Sequence, residues 1–198
     1  MGSQQPTANS QQSARLRGRR IILGVSGGIA AYKSCDLASR LVKEGALVTA
    51  VLTRNARKFV TPFAFEALTG QPCLTSAFKR IEPGENPYPH IEPVRTAELV
   101  IIAPATADLM AKLAHGIADE LLPTMMLTVR CPVLICPSMN VQMWEHPATQ
   151  ANVKTLRKYG HQFCGPENGA LACGMEGAGR LSEPPAIVQA ACRLLNDD

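Results

Sequence analysis

The 198-residue chain lacks a long apolar segment. Its longest apolar stretch runs from Leu99 to Ala105 and includes Pro104, whereas a membrane-spanning helix needs about 20 apolar residues. The first 20 residues also lack the apolar stretch of a secretory signal. The sequence therefore predicts neither a membrane span nor export.

The chain carries little charge, with 18% charged residues and a net charge of +4. Four arginines and no acidic residue lie in the first 20 positions. Subtracting these four from the 20 basic residues leaves 16, against 16 acidic residues in the remainder. A neutral body offers no basic face to nucleic acid, and 46% hydrophobic residues allow a substantial core instead.

Paired cysteine motifs are missing too. The seven cysteines form no C-x-x-C pair, and none of the four histidines lies at zinc-ligand spacing from a cysteine pair. We therefore expect no metal site. An odd number of cysteines without a signal segment favours free thiols in a reducing, cytoplasmic compartment. Most of them are expected to be small buried apolar residues, with Cys173 as the exception.

Short apolar runs alternate with helical patterns along residues 19–198, which predicts one domain preceded by a disordered tail over residues 1–18. Apolar runs typical of strands buried on both faces cover residues 20–26, 46–53, 98–105 and 132–139, and a further strand begins near 161. Helices are predicted over residues 27–45, 61–70, 106–116, 147–158 and 184–196. This alternation indicates a three-layer α/β fold with a parallel sheet.

Two segments interrupt the alternation. Residues 79–89 contain three prolines, which predicts a surface loop. Residues 164–185 contain five glycines and three prolines, and they include Cys173. Long loops in compact domains are usually functional or disordered, and the cysteine favours function.

Small and hydrogen-bonding residues follow four of the predicted strands. In a parallel sheet these strand ends meet at one edge, where ligands bind, and two of them lead into helix N-termini that can bind phosphate. Each loop alone is typical of an ordinary turn, but four together predict a site for a phosphorylated cofactor. The four are Ser26-Gly27-Gly28, Thr53-Arg54-Asn55, residues 104–108 and residues 137–140.

The segment GVSGG matches the G-x-S-x-G nucleophile elbow, with Ser26 as nucleophile. We reject that interpretation because the elbow follows several earlier strands in hydrolases, whereas this segment ends the first strand. The segment also fails the G-x-G-x-x-G dinucleotide pattern, so a mononucleotide fits its glycine spacing better.

Three further residues are candidates for chemistry. His90 follows the proline-rich loop, where a lone histidine is more often a solvated turn residue. Cys173 lies among glycines, where a cysteine is poorly placed for a core and a catalytic thiol is credible. Asn140 follows a strand and is close to Met143 and Trp144, so it could fix a ligand carboxylate.

Six segments occur in an order that resembles the phosphopantothenoylcysteine decarboxylases, members of the homo-oligomeric flavin-containing cysteine decarboxylases. They are GVSGGIAAYK, HIEP, APATADLMAK, ADELLPT, PSMNVQMW and ACGMEGAGRLSEP. The resemblance covers about residues 20–190 and is closest to the decarboxylase half of the bacterial bifunctional coenzyme A enzyme. It implies a Rossmann-like, flavodoxin-like fold, FMN as cofactor, and a trimer or a dodecamer of trimers with its site between subunits.

The resemblance also implies roles for individual residues. His90 and Cys173 become catalytic, and the substrate contacts fall on Asn140, Met143, Ala170, Leu171 and Ala172. Residues 164–185 become a flap that clamps the substrate. FMN contacts fall on Ser26, Gly27, Gly28, Ile29, Thr53, Asn55, Thr106, Ala107, Asp108, Leu109 and Ser138. Two positions depart from the frequent family pattern: Asp108 replaces an asparagine and Leu181 replaces a methionine.

The implied reaction is FMN-dependent decarboxylation of 4'-phosphopantothenoylcysteine to 4'-phosphopantetheine. Direct loss of CO2 from the acylated cysteine would leave a carbanion without an electron sink. Prior oxidation of the CH2–SH unit to a thioaldehyde supplies that sink, CO2 leaves to give an enethiolate, and reduction returns a plain thiol. The resemblance assigns His90 to the first half and proton donation by Cys173 to the second.

Three alternatives remain open. Peptidyl-cysteine decarboxylases stop at the enethiol and lack the C-terminal cysteine segment. Flavin prenyltransferases share the fold but lack the segments around His90 and Asn140. Non-catalytic phosphatase-regulating relatives generally carry long acidic extensions, whereas the N-terminal extension here is short and basic.

Overall fold

A computed structural model describes residues 15–76, 91–170, 174 and 176–196. Its centre is a five-stranded parallel sheet in the order β2-β1-β3-β4-β5. The strands are β1 (Arg20–Val25), β2 (Leu47–Leu52), β3 (Leu99–Ala105), β4 (Val133–Pro137) and β5 (Gln162–Phe163). All seven residues of β3 are buried, as expected for a central strand covered on both faces.

Helices cover both faces of the sheet. They are α1 (Lys33–Lys43), α2 (Pro62–Thr69), α3 (Glu92–Thr96), α4 (Ala107–His115), α5 (Leu121–Met126), α6 (Val141–Glu145), α7 (Pro147–Lys158) and α8 (Pro184–Asn196). None of these helices is long and apolar enough to cross a bilayer.

The core has two halves, one on each face of the sheet. Side chains of α1, α2 and α8 pack on one face and include Leu37, Phe65 and Ile187. Side chains of α4, α5 and α7 pack on the other and include Leu122 and Leu156. The predicted three-layer α/β fold with a parallel sheet is confirmed.

The N-terminal boundary differs from the prediction, which placed residues 1–18 in a disordered tail. Leu16 is 0% exposed and belongs to the first half of the core. Its backbone N–H donates to the Glu44 carbonyl at 3.0 Å, and Arg15 pairs with the Glu44 carboxylate at 3.1 Å. The folded part therefore includes residues 15–18, because one leucine among polar residues finds a buried position; residues 1–14 lie outside the described chain.

The segment predicted as one long loop, residues 164–185, contains paired strands. Strands β6 (Glu167–Ala170) and β7 (Glu176–Arg180) form an antiparallel ribbon, which we call the β6–β7 ribbon. Three of these nine residues are glycines, so the pairing comes from the backbone and leaves little side-chain pattern to detect. Of the intervening residues, 171–173 and 175 lie outside the described part.

Candidate functional site

The strand order creates a crevice at the carboxyl edge of the sheet. The chain passes from β1 outward to β2 on one side, and from β3 outward to β4 on the other. Ligands of open α/β sheets bind where the strand order reverses in this way, and the order 2-1-3-4-5 places that point between β1 and β3. Residues 26–28, 53–55 and 104–108 border this position, which we call the strand-end crevice.

Ser26 joins the two strands that flank the crevice. Its side chain is 2% exposed; the hydroxyl donates to the Pro104 carbonyl at 2.8 Å and accepts from the Thr106 N–H at 2.9 Å. These two bonds fix the end of β1 to the start of α4. They also give the hydroxyl a positioning task, which agrees with rejection of the nucleophile-elbow interpretation.

Gly27 allows the ends of β1 and β2 to lie against each other. A β-carbon at Gly27 would lie 2.4 Å from Asn55 Cβ and 2.7 Å from the Asn55 carbonyl carbon. No real β-carbon tolerates such distances, so only glycine fits. At Gly28 a β-carbon would meet Thr106 Cγ2 at 3.6 Å, an ordinary contact that would nevertheless take up space between the two loops.

Hydrogen bonds hold the other crevice loops. Thr53 is buried, and its Oγ1 accepts from the Ala56 N–H at 3.1 Å. Thr106 caps α4, and its Oγ1 accepts from the Leu109 N–H at 3.3 Å. Helix α4 therefore begins at the crevice, and its N-terminal N–H groups and positive dipole end favour an anionic group there.

The end of β4 supplies a second group of predicted site residues. The Ser138 N–H donates to the Ala105 carbonyl at 3.0 Å, which places this loop beside β3. Asn140 caps α6, and its Oδ1 accepts from the Gln142 N–H at 2.8 Å. Met143 is exposed on the same short helix.

The β6–β7 ribbon packs against α6. The Met139 N–H donates to the Gly179 carbonyl at 3.0 Å, and a β-carbon at Gly177 would lie 3.0 Å from Val141 Cγ2. Asn140 therefore lies beside the ribbon that carries Ala170. The remaining predicted residues, which are His90, Leu171, Ala172 and Cys173, lie outside the described part, and their roles stay predictions.

A carboxylate holds the base of the ribbon. Glu183 accepts from Lys33 Nζ at 2.8 Å and also pairs with Arg180 of β7. These two cations lower the pKa of Glu183. Because Lys33 begins α1, which follows the β1 loop, the pair connects the ribbon with the helix next to the crevice.

Sequence reasoning missed a thiol pair beneath the ribbon. Cys136 of β4 is buried and Cys164 follows β5, and both are free thiols. Hydrogen bonds from Cys136 and, more weakly, from the Ser182 hydroxyl lower the pKa of Cys164 to about 6, although burial opposes the shift. Burial, together with Cys164, raises the pKa of Cys136. No spacing motif could have revealed a pair brought together by two strands.

A parallel sheet in this order, with a glycine-lined crevice at its switch point, defines a flavodoxin-like nucleotide-binding architecture. Solved structures of other proteins share this architecture. A cysteine-to-serine mutant of PPC decarboxylase, complexed with pantothenoylaminoethenethiol, has a TM-score of 0.77 at 29% identity and covers 92% of this chain and 100% of that one. The FMN-dependent cysteine decarboxylase SpaF has a TM-score of 0.72 at 32% identity, covering 89% and 99%.

The chain belongs to the Flavoprotein family, whose sequence profile matches residues 9–196. It is 46% identical over 176 residues to the coenzyme A biosynthesis bifunctional protein CoaBC of Bacillus subtilis, covering 89% of this chain and 43% of that protein. The Vibrio cholerae protein of the same name is 45% identical over 174 residues, covering 87% and 43%. The chain thus spans less than half the length of these curated relatives. The resemblance to the flavin-containing cysteine decarboxylases is confirmed.

Proposed function

We propose that this chain is an FMN-dependent decarboxylase that converts 4'-phosphopantothenoylcysteine to 4'-phosphopantetheine in coenzyme A biosynthesis. The observation that carries the proposal is the strand-end crevice with the Asn140 helix and the β6–β7 ribbon beside it. Similarity to bifunctional coenzyme A biosynthesis proteins and to a PPC decarboxylase supports this choice of substrate.

The crevice fits FMN. Its Gly27–Asn55 contact is too close for any other residue at position 27, and the space beside Gly28 would be reduced by a side chain. The capped start of α4 supplies N–H donors for an anion. Ser26 positions the loops around FMN through its bonds to Pro104 and Thr106. The other residues that would hold FMN are Gly27, Gly28, Ile29, Thr53, Asn55, Thr106, Ala107, Asp108, Leu109 and Ser138.

When bound, FMN supplies a group that accepts a hydride equivalent and returns it. Residues of the chain orient the substrate and transfer protons to it. Asn140 holds the substrate carboxylate, with Met143, Ala170, Leu171 and Ala172 along the substrate, and α6 fixes the asparagine through its cap. His90 assists the decarboxylating half, and Cys173 donates a proton to carbon in the final step.

The active site belongs to a homo-oligomer, a trimer or a dodecamer of trimers, and lies between subunits. Ile29 directly follows Gly28 and Tyr32 lies three residues further on, and both support this arrangement because each is 61% exposed. Apolar side chains exposed next to a polar crevice favour cover by another subunit. The cytoplasmic location belongs to the same proposal, because a thiol substrate and a reactive cysteine both need a reducing compartment.

Mass spectrometry of the product tests the function. Protein loaded with FMN is incubated with phosphopantothenoylcysteine, and CO2 release is measured in parallel. We expect phosphopantetheine, lighter than the substrate by one CO2. A product two hydrogens lighter still would indicate an enethiol-forming decarboxylase instead. Absence of CO2 release from a flavin-loaded, correctly assembled protein would refute the proposal.

A further inference from the structure

One partly buried ammonium group connects two walls of the strand-end crevice. Lys112 Nζ lies 3.0 Å from Asp119 Oδ2, 3.3 Å from Asp108 Oδ2 and 3.8 Å from Glu120 Oε1. The side chains of Lys112 and Glu120 are each 18% exposed. We call these four residues the Lys112 cluster. Burial alone would lower the pKa of Lys112, but the carboxylates of Asp119 and Asp108 outweigh it and raise that pKa.

The first wall is the start of α4. Asp108 lies in the first turn of this helix, and Lys112 lies one turn later on the same helix face. Thr106 caps the helix, and its backbone N–H donates to the Ser26 hydroxyl. The cluster is thus continuous with the β1–β3 side of the crevice.

The second wall is the loop after β2. Glu120 Oε2 accepts from the Arg54 backbone N–H at 2.7 Å, and Arg54 lies between Thr53 and Asn55. The last strand-type bond on this side runs from the Thr53 N–H to the Val25 carbonyl at 3.0 Å. Arg54 follows directly, and its N–H donates to the Glu120 carboxylate instead of to a carbonyl of a neighbouring strand.

We propose that Glu120 is a positioning residue of the FMN site, which holds the Thr53–Arg54–Asn55 loop against Gly27 through the Arg54 N–H. Lys112 lies 3.8 Å from the other carboxylate oxygen, so the bond to the Arg54 N–H is the shorter of the two contacts and carries the positioning. The inference rests on the proposed function only in taking FMN as the ligand of the crevice. It assigns a task to the ADELLPT segment, which the proposed chemistry does not use.

Two substitutions at Glu120 separate the effect of side-chain length on FMN binding from the effect of charge. Glu120→Gln keeps an oxygen at the same distance and loses the charge, whereas Glu120→Asp keeps the charge and shortens the side chain by one methylene. If the bond to the Arg54 N–H positions the loop, Glu120→Gln should bind FMN within about threefold of wild type. Glu120→Asp should bind about tenfold more weakly, as expected for loss of a hydrogen bond to a charged group.

The matched control lies at the opposite edge of the sheet. Glu98 Oε2 accepts from the Arg20 backbone N–H at 2.9 Å, and Glu98 also pairs with Arg19. Glu98→Asp should lower the melting temperature without changing FMN affinity, because the amino ends of the strands face away from the crevice.

The experiment measures the FMN dissociation constant of each 198-residue apoprotein by quenching of flavin fluorescence. Hydrogen exchange of the Arg54 amide without FMN is the second readout, and we expect faster exchange in Glu120→Asp than in Glu120→Gln. Equal FMN affinity of the two variants, or an equal loss in Glu98→Asp, would overturn the inference. Failure of the wild-type protein itself to bind FMN would overturn the proposed function and this inference with it.

Discussion

The strand-end crevice and the β6–β7 ribbon border the same site but are built in opposite ways. Crevice residues such as Ser26 and Thr53 are buried and bonded to neighbouring strands, Ser26 to the Pro104 carbonyl and Thr53 to the Val25 carbonyl. Only one of the nine ribbon residues, Gly179, is buried; the ribbon is rich in glycine and contacts the neighbouring helix α6 through positions such as Gly177 and Gly179. In the proposed function the closely packed crevice holds the cofactor, and the segment that joins the two ribbon strands carries Cys173.

The largest effect is expected from Cys173→Ser, which tests the chemistry assigned to the segment between the ribbon strands. A hydroxyl is far less acidic than a thiol, so proton donation in the last step should slow by about 10²–10⁴-fold. CO2 release does not use this proton, so each site should still release one CO2, with FMN as the two-electron acceptor. We expect the enethiol, two hydrogens lighter than phosphopantetheine, in the mass spectrum of the product.

The Cys173→Ser protein must first show bound FMN and the wild-type oligomer size. Normal phosphopantetheine formation by such a protein would refute the role of Cys173. Loss of CO2 release would move that role to the first half of the reaction.

The next largest effect is expected from Gly27→Ala, which tests the rigidity of the crevice. The new methyl group would meet Asn55 Cβ at 2.4 Å and the Asn55 carbonyl carbon at 2.7 Å. Moving the loop should weaken FMN binding by about 100-fold and destabilise the apoprotein by about 1–3 kcal/mol. Flavin titration and urea unfolding measure the two effects.

Gly28→Ala is the matched control for Gly27→Ala, because its methyl group would meet nothing closer than 3.6 Å. Its apoprotein should unfold within about 0.5 kcal/mol of wild type. Shortening Asn55 should not rescue Gly27→Ala, since the backbone carbon stays in place. An unchanged flavin affinity in Gly27→Ala would show that the crevice adapts and would remove the contrast with the ribbon.

The crevice could be predicted from the sequence and the ribbon could not, because the two are built differently. Buried parallel strands leave continuous apolar runs, so the ends at Ser26, Thr53 and Thr106 could be located from the sequence, and parallel pairing brings them to one edge. The bond from Ser26 to Pro104 joins residues 78 positions apart, and no local pattern encodes it. The ribbon was missed because glycine-rich strands pair through the backbone.

A smaller effect is expected from Glu183→Gln, which loosens the base of the ribbon. Exposed ion pairs contribute about 0–1 kcal/mol, so stability should hardly change. The ribbon should exchange its amide hydrogens faster, and KM should rise about threefold while flavin affinity stays constant. Asp36→Asn removes an exposed pair with Arg40 on α1 and serves as the control. If flavin affinity falls instead, Glu183 supports the crevice rather than the ribbon.

The smallest effect concerns the Cys136–Cys164 pair below the ribbon, and it appears as a pH dependence of stability. The folded pKa of Cys164 is about 6, whereas an unfolded cysteine titrates at about 8.5. The unfolded state therefore binds more protons between these values, and the free energy of unfolding should rise with pH from 6 to 8.5. The raised pKa of Cys136 acts only above about pH 8.5, where it lowers stability, so Cys164 controls the pH dependence between 6 and 8.5.

Partial exposure of Cys164 limits the gain in the free energy of unfolding to about 1 kcal/mol. Urea unfolding of wild type and Cys164→Ser at pH 6 and pH 8 measures it, and parallel pH curves for the two proteins would show that the thiol pair does not stabilise the ribbon base through a thiolate.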